Sequence, residues 1–338
     1  MTTATTATTA PGDAIAPPRG GLRAPCPCGS GKRYKQCHGR TASREAFVPR
    51  PFEGLAGEAD LVALRELVPA GTLTTRTVDG EEVVLVSVLP MAWPGLRRPD
   101  GAVWVGLQTA GSSSDPSRDL AVALRAAREA GPGTPVAHVD PRGRGERLQD
   151  VLDPSARPVV RVHAGMDFWL EGLGEDDEIG EPGTAAAVRA SLEKVNESLV
   201  PTEAVTSVPS AYWVRLGGTT FVRWVVTVPE DDFMDALARL HAGRGDGAGG
   251  SALGGGTRFA GAFRTAGLLV PVWDLGPEST AESVEEPLAA FADRLSEALS
   301  DRTRSPPTSA APEPASSAAN SPSADPAQPP NLPTPCAP

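Results

Sequence analysis

Residues Cys26 to Gly39 read CPCGSGKRYKQCHG, a run that holds three of the chain's four cysteines and one of its four histidines. Two chemistries compete for it. The embedded GSGK suggests a loop that cradles phosphate, whereas Cys26, Cys28, Cys37 and His38 suggest a metal. The phosphate alternative fails on spacing. Such a loop places its first glycine five positions ahead of the Gly-Lys pair and a hydroxyl just after it, to open the anion nest and to hold magnesium. Here those positions fall on Cys26 and Arg33. The preceding IAPPRGGLRAP is too rich in proline and glycine to be the buried strand that leads into a phosphate loop.

The metal alternative uses every unusual residue. A Cys₃His set is one of the closed tetrahedral zinc shells, and four protein ligands leave no open position for catalysis, which makes the expected site structural. Gly29 and Gly31 give the backbone freedom to fold back over an ion at this close spacing. Three thiolates on a divalent ion leave excess negative charge, which Lys32, Arg33, Lys35 and Arg40 stand close enough in sequence to offset. A redox-active group of thiols is the alternative, and a cytosolic chain would keep such cysteines reduced. A segment this short buries no core of its own, since chains below about 40 residues usually need metals or disulfides. Zinc would then be its fold, contributing about 10 kcal/mol or more.

The run closely resembles the SEC-C zinc motif, best known from the C-terminal tail of the SecA translocation ATPase. The ligand positions Cys26, Cys28, Cys37 and His38 match, as do the intervening Pro-Cys-Gly-Ser-Gly-Lys and Tyr-Lys. The likeness covers residues 26 to 39, and no translocation motor follows it. The arrangement is similar to that of uncharacterised actinobacterial proteins in which a SEC-C motif precedes a domain of unknown function. The resemblance implies one structural zinc ion and a protein partner, such as a SecB-like chaperone or the ribosome. Lys32, Arg33, Tyr34 and Lys35 would be the contact residues on a backbone held by the four ligands. RNA contact through the same basic loop is a subclass of this expectation, weakened by the single aromatic available for stacking.

The chain that carries the knuckle has 338 residues and a net charge of −11, enough for one large or two ordinary domains. Residues 1 to 50 are basic, at +6, so the remainder carries −17. A basic knuckle on an acidic body suggests that the two parts face different partners; neutralised thiolates and a solvated tail are the plainer alternative. The N-terminal MTTATTATTAPGDAIAPP has neither a basic start nor an apolar run, and no stretch approaches the roughly 18 apolar residues of a membrane span. A cytoplasmic location is expected.

Composition divides the chain into a disordered tail (1–24), the knuckle (25–40), a linker (41–51), an α+β domain (52–302) and a disordered Pro/Ser/Ala-rich tail (303–338) holding the lone Cys336. Within the body, EADLVALRELVPA has one apolar helical face. EEVVLVSVLP and GAVWVGLQTA, separated by the turn-rich PGLRRPDG, are expected to form a hairpin. Asp115-Pro116 opens a helix. Further strands are predicted at TPVAHVD, PVVRVHA, AYWVRL, TFVRWVVTVP and GLLVPVWDL. Helices are predicted at TAAAVRASLEKVNESL, DDFMDALARLHA and EEPLAAFADRLSEAL, the last behind a Ser279-x-x-Glu282 capping box. Ala102-x-Trp104-Val105-x-Leu107 recurs as Ala211-x-Trp213-Val214-x-Leu216, so a pseudo-duplicated body stands as an alternative to chance similarity between two amphipathic strands, with both tryptophans expected in the core.

Candidates for a second chemistry are few. His163 precedes Asp167, and His138 precedes Asp140, either of which could be a base with its orienting acid. The acidic run Glu175, Asp176, Asp177, Glu178 bunches its carboxylates, whereas a calcium loop spaces them, so it reads as a solvated loop. Two classes of function remain: an adaptor acting through the knuckle, or a cytoplasmic enzyme with its site near His163 or His138 and the knuckle as a localisation tag.

Overall fold

The computed structural model describes residues 23–26, 30–36, 47–109, 111, 113–139, 145–174, 177–242 and 250–301. The expectations for residues 1–22, for the linker as far as 46 and for the tail from 302, Cys336 included, lie outside them. The described body is an α+β arrangement of two sheets and six α-helices.

The first sheet begins with β1 (Gly71–Arg76) and β2 (Glu82–Val88), an antiparallel pair that sets Leu73 opposite Leu85. It continues with β3 (Gly95–Arg97), β4 (Val103–Gln108), β5 (Pro135–Val136) and β6 (Val159–Val162), in the order β5-β3-β4-β2-β1-β6. On β2 the run Val83 to Val86 is buried or half-buried throughout, as a strand covered on both faces must be. Val83 and Leu85 face α1 (Glu58–Glu66) and α2 (Pro116–Glu129), together with Leu61, Leu64 and Leu124. Val84 and Val86 face the opposite cluster, which contains Trp93, Phe168, Trp169 and residues of α4 (Thr184–Glu197). The short α3 (Leu148–Val151) packs at the side of α2.

The second sheet is antiparallel throughout: β7 (Thr202–Val205), β8 (Ala211–Leu216), β9 (Thr219–Trp224), β10 (Arg258–Thr265) and β11 (Leu268–Leu275), ordered β10-β11-β9-β8-β7. One face carries α5 (Glu230–Ala242) and α6 (Ala281–Ser300) over Trp213, Val222, Trp273, Phe233 and Phe291. Tyr212, Val225, Leu268 and Val270 instead join the cluster beneath α1, so the two sheets share a core.

The chain before α1 straps these parts together. Arg147 Nη2 and Gln149 Nε2 donate to the Pro51 carbonyl at 2.9 and 2.8 Å, and Phe52 is fully buried. Pro49 and Arg50 cross the β10-β11 turn so closely that a side chain on Gly267 would meet the Pro49 carbonyl at 2.8 Å, at a φ of +80°.

Several expectations are corrected. The EEVVLVSVLP and GAVWVGLQTA strands are parallel neighbours, with Val83 beside Val103, and do not form a hairpin. Three residues of the presumed turn, Gly95 to Arg97, form β3 and make the hairpin with β4 instead. It is closed by the Arg98 N–H donating to the Ala102 carbonyl at 2.8 Å, with Gly101 at φ +87°. The strand expected at TPVAHVD ends at Val136. The cap of α6 is Thr280 with Ser283, one residue past the expected box, because Thr280 Oγ1 accepts from the Ser283 N–H at 3.2 Å. The echoed pattern falls on β4, with one parallel and one antiparallel neighbour, and on β8, with two antiparallel neighbours, so the two copies hold inequivalent places and lend the duplicated body no support. Trp213 is buried and Trp104 packs on the second face of the first sheet, both in core positions.

Candidate metal centre

The described part of the knuckle is a small antiparallel hairpin. The Tyr34 N–H donates to the Ala24 carbonyl at 2.8 Å, the Cys26 N–H donates to the Lys32 carbonyl at 2.9 Å, and Pro25 bridges Arg33. Gly31 turns the chain at φ +68°, in open space. A single 3-10 turn, Tyr34–Gln36, leads directly to Cys37. Among the described residues that follow the glycine, 32–36, no α-helix starts, whereas a phosphate loop leads into one.

Cys26 is 5% exposed and Tyr34 is 1% exposed, while Lys32 and Arg33 are exposed. The hairpin thus turns a thiol inward and two cations outward. The ring of Tyr34, one of the expected contact residues, is buried here and supports the hairpin. The Lys35 side chain lies outside the described residues, as do Cys28, Cys37 and His38. Among the described residues no cluster of three metal-ligating side chains occurs. One feature nonetheless fits a zinc ion: the first expected ligand, Cys26, is buried in a segment without an apolar core.

In the body, the expected pair of His163 with Asp167 is not assembled. His163 Nε2 lies 3.1 Å from Thr72 Oγ1, and its ring stacks on Phe168 at 4.3 Å. Asp167 instead accepts from Asn196 Nδ2 at 2.9 Å. His138 is exposed beyond the end of β5, and its expected partner Asp140 lies outside the described residues. In the acidic run, Asp177 accepts from the Gly174 N–H at 2.8 Å and Glu178 from the Ala185 N–H at 3.4 Å, both local uses. Glu175 and Asp176 lie outside the described residues.

Burial holds the His163 imidazolium below its ordinary pKa, against a raising effect of Glu171 and with a smaller lowering effect of the like-charged Arg161. Protonation of the unfolded chain near pH 6.5 therefore outruns that of the folded one. The expected result is a stability that falls as pH drops from about 7 through 6.5 until the folded imidazole also titrates. A His163→Gln chain will show a flatter thermal-denaturation profile over that window. Identical profiles for the two chains would exclude the effect.

Sequence periodicity did not reveal a cleft of about 570 Å³ where α1 meets the strand ends of the second sheet. Asp60, Ser210 and Trp224 line it, and the only prior signal for Asp60 was a polar position on an amphipathic helix.

Residues 51–312 match DUF5926, a family of unknown function, and residues 23–40 match the SEC-C motif. The knuckle is similar to protein translocase subunit SecA of Methylibium petroleiphilum, 76% identical over 25 residues, and to that of Laribacter hongkongensis, 79% identical over 24 residues. It is 64% identical over 31 residues to the SecA subunit of Paraburkholderia phymatum. These stretches are 7–9% of this chain, and the chain spans about 3% of the length of those relatives. No solved structure matches the chain.

Proposed function

The chain belongs to the DUF5926 family, and we propose that it is an adaptor: a body of that family bearing a zinc-held SEC-C knuckle that docks on a protein partner or the ribosome in the cytoplasm. Cys26, Cys28, Cys37 and His38 would hold one zinc ion, whose chemistry is that of a closed tetrahedral crosslink. The chain's own part is then to fix a basic loop. Lys32 and Arg33 offset the thiolate charge and face outward, where they meet an acidic or anionic surface, and Lys35 continues the same basic run. Reduced thiolates suit a cytosolic compartment.

The observation that carries this proposal is the pairing of residues 24–26 with 32–34, which buries Cys26 and leaves Lys32 and Arg33 exposed, in a segment resembling the SecA motif. Among the described residues no helix is long and apolar enough to cross a membrane. The enzyme alternative draws nothing from His163, whose expected acid Asp167 pairs with Asn196 instead.

Immobilised full-length protein, offered purified ribosomes and, separately, a purified SecB-type chaperone, tests the proposal. The expected result is retention of one of them, reduced at least tenfold by Lys32→Glu with Arg33→Glu, since close charge pairs at an interface are worth about 1.5 kcal/mol or more. Retention of neither, or equal retention by the doubly reversed chain, overturns it.

A further inference from the structure

The cleft beside α1 has the chemistry of a binding site independent of the knuckle. Its walls are largely apolar, with Trp224, Val226, Val228 and Leu295 among them, and among the described residues no lysine, arginine or histidine lines it. It holds two carboxylates. Glu58 is already neutralised, because Arg50 donates to both of its oxygens, at 2.5 and 2.9 Å. Asp60 is not. Its Oδ1 accepts from Ser210 Oγ at 2.7 Å and from Tyr212 Oη at 3.1 Å, while its Oδ2 has no partner among the described residues.

The two donors hold the carboxylate in one orientation, and each is itself fixed. Burial, reinforced by Asp60, pushes the Tyr212 phenol well above its ordinary pKa, so it remains a donor. Ser210 sits at φ +59°, a conformation that costs a serine of order 1 kcal/mol, and its carbonyl accepts from the Val225 N–H at 3.0 Å. The Trp224 indole N–H donates to the Pro209 carbonyl at 3.0 Å, which locks the ring at the wall. A latch between α1 and the second sheet needs Oδ1 alone. An oriented carboxylate oxygen left over in an aromatic and aliphatic cleft calls for a positive charge on an apolar stem.

We propose that this cleft binds an organic cation, an ammonium or guanidinium group on an aliphatic chain, with Asp60 Oδ2 as counter-ion and Trp224 as the stacking wall. The same chemistry has two sources, a free amine or the Lys or Arg side chain of a peptide, and two probes separate them: agmatine, and the capped tripeptide acetyl-Ala-Arg-Ala-amide. The control is the same tripeptide with citrulline, which keeps the shape and loses the charge.

Titration calorimetry on the full chain is expected to show saturable binding of at least one cationic probe and at least tenfold weaker binding of the citrulline peptide. Tighter binding of agmatine assigns a free amine, and tighter binding of the peptide assigns a side chain. Asp60→Asn keeps an oxygen for Ser210 and Tyr212, so it will preserve the melting temperature and weaken the cation at least tenfold. The citrulline comparison needs no variant and stands even if that chain fails to fold. No saturation by either cation at roughly 10 mM, where even a millimolar Kd would be filled, overturns the proposal, as does equal affinity for arginine and citrulline.

Discussion

Replacing Cys37 with serine is expected to unfold residues 23–26 and 30–36 while the body melts at its wild-type temperature. The knuckle's described order rests on a few backbone hydrogen bonds and two buried side chains, Cys26 and Tyr34. Neither residue belongs to any of the three apolar clusters of the body. Structural zinc contributes about 10–16 kcal/mol to segments of this size, far more than one hairpin recovers unaided. Amide hydrogen exchange reads this directly. The N–H groups of Cys26 and Tyr34, protected in the wild type by the Lys32 and Ala24 carbonyls, will exchange as in an unfolded chain in the variant. Protection retained in the variant would mean that the hairpin folds without its metal.

The second large effect is expected at Arg98, a guanidinium only 1% exposed. Its Nη1 donates to the Trp169 carbonyl at 2.8 Å and its Nη2 to that of Glu171, and the group lies 4.3 Å from the Trp104 ring centroid. It thereby ties the 3-10 turn Met166–Leu170 to the first sheet, under which Phe168 and Trp169 are buried. Arg98→Met keeps the stem but orphans two carbonyls, each worth about 1–3 kcal/mol, and it also takes the cation away from the face of Trp104. A destabilisation of about 4 kcal/mol follows, which in a body of this size lowers Tm by roughly 8–16 °C. A shift below about 2 °C would show that water replaces the guanidinium at no cost.

Arg98 also shows why part of the fold was not legible in the sequence. It lies in PGLRRPDG, where two prolines and two glycines signal a turn, and the local signal concealed a three-residue strand. With that strand inserted, β4 reverses direction and the expected hairpin becomes a parallel pair; only long-range pairing decides between the two. β1 reads GTLTTR, with Leu73 its single large apolar residue, and it is fixed by β2 and β6 on either side of it. By contrast β6, β8, β9 and β11 were legible, since their β-branched and aromatic residues announce strands wherever these pair. Helix α2 was legible from its own cap, Asp115.

The candidate sites divide in the same way. The proposed zinc shell is written in local spacing, and its four candidate ligands within thirteen residues are visible before any fold is known. The cleft is assembled from Asp60 and Ser210, which are 150 residues apart, and no pattern along the chain connects them. His163 and Asp167 carried the opposite lesson, since proximity in sequence let each find another partner, Thr72 and Asn196.

Metal content is the most direct test of whether an ion substitutes for a core in the knuckle. Purified full-length protein, kept reduced and free of added metal, is to be counted for zinc by elemental mass spectrometry against its measured concentration. One zinc per chain, absent from the Cys37→Ser form, is the predicted result; a chain without stoichiometric zinc whose Cys26 and Tyr34 amides remain protected would contradict it.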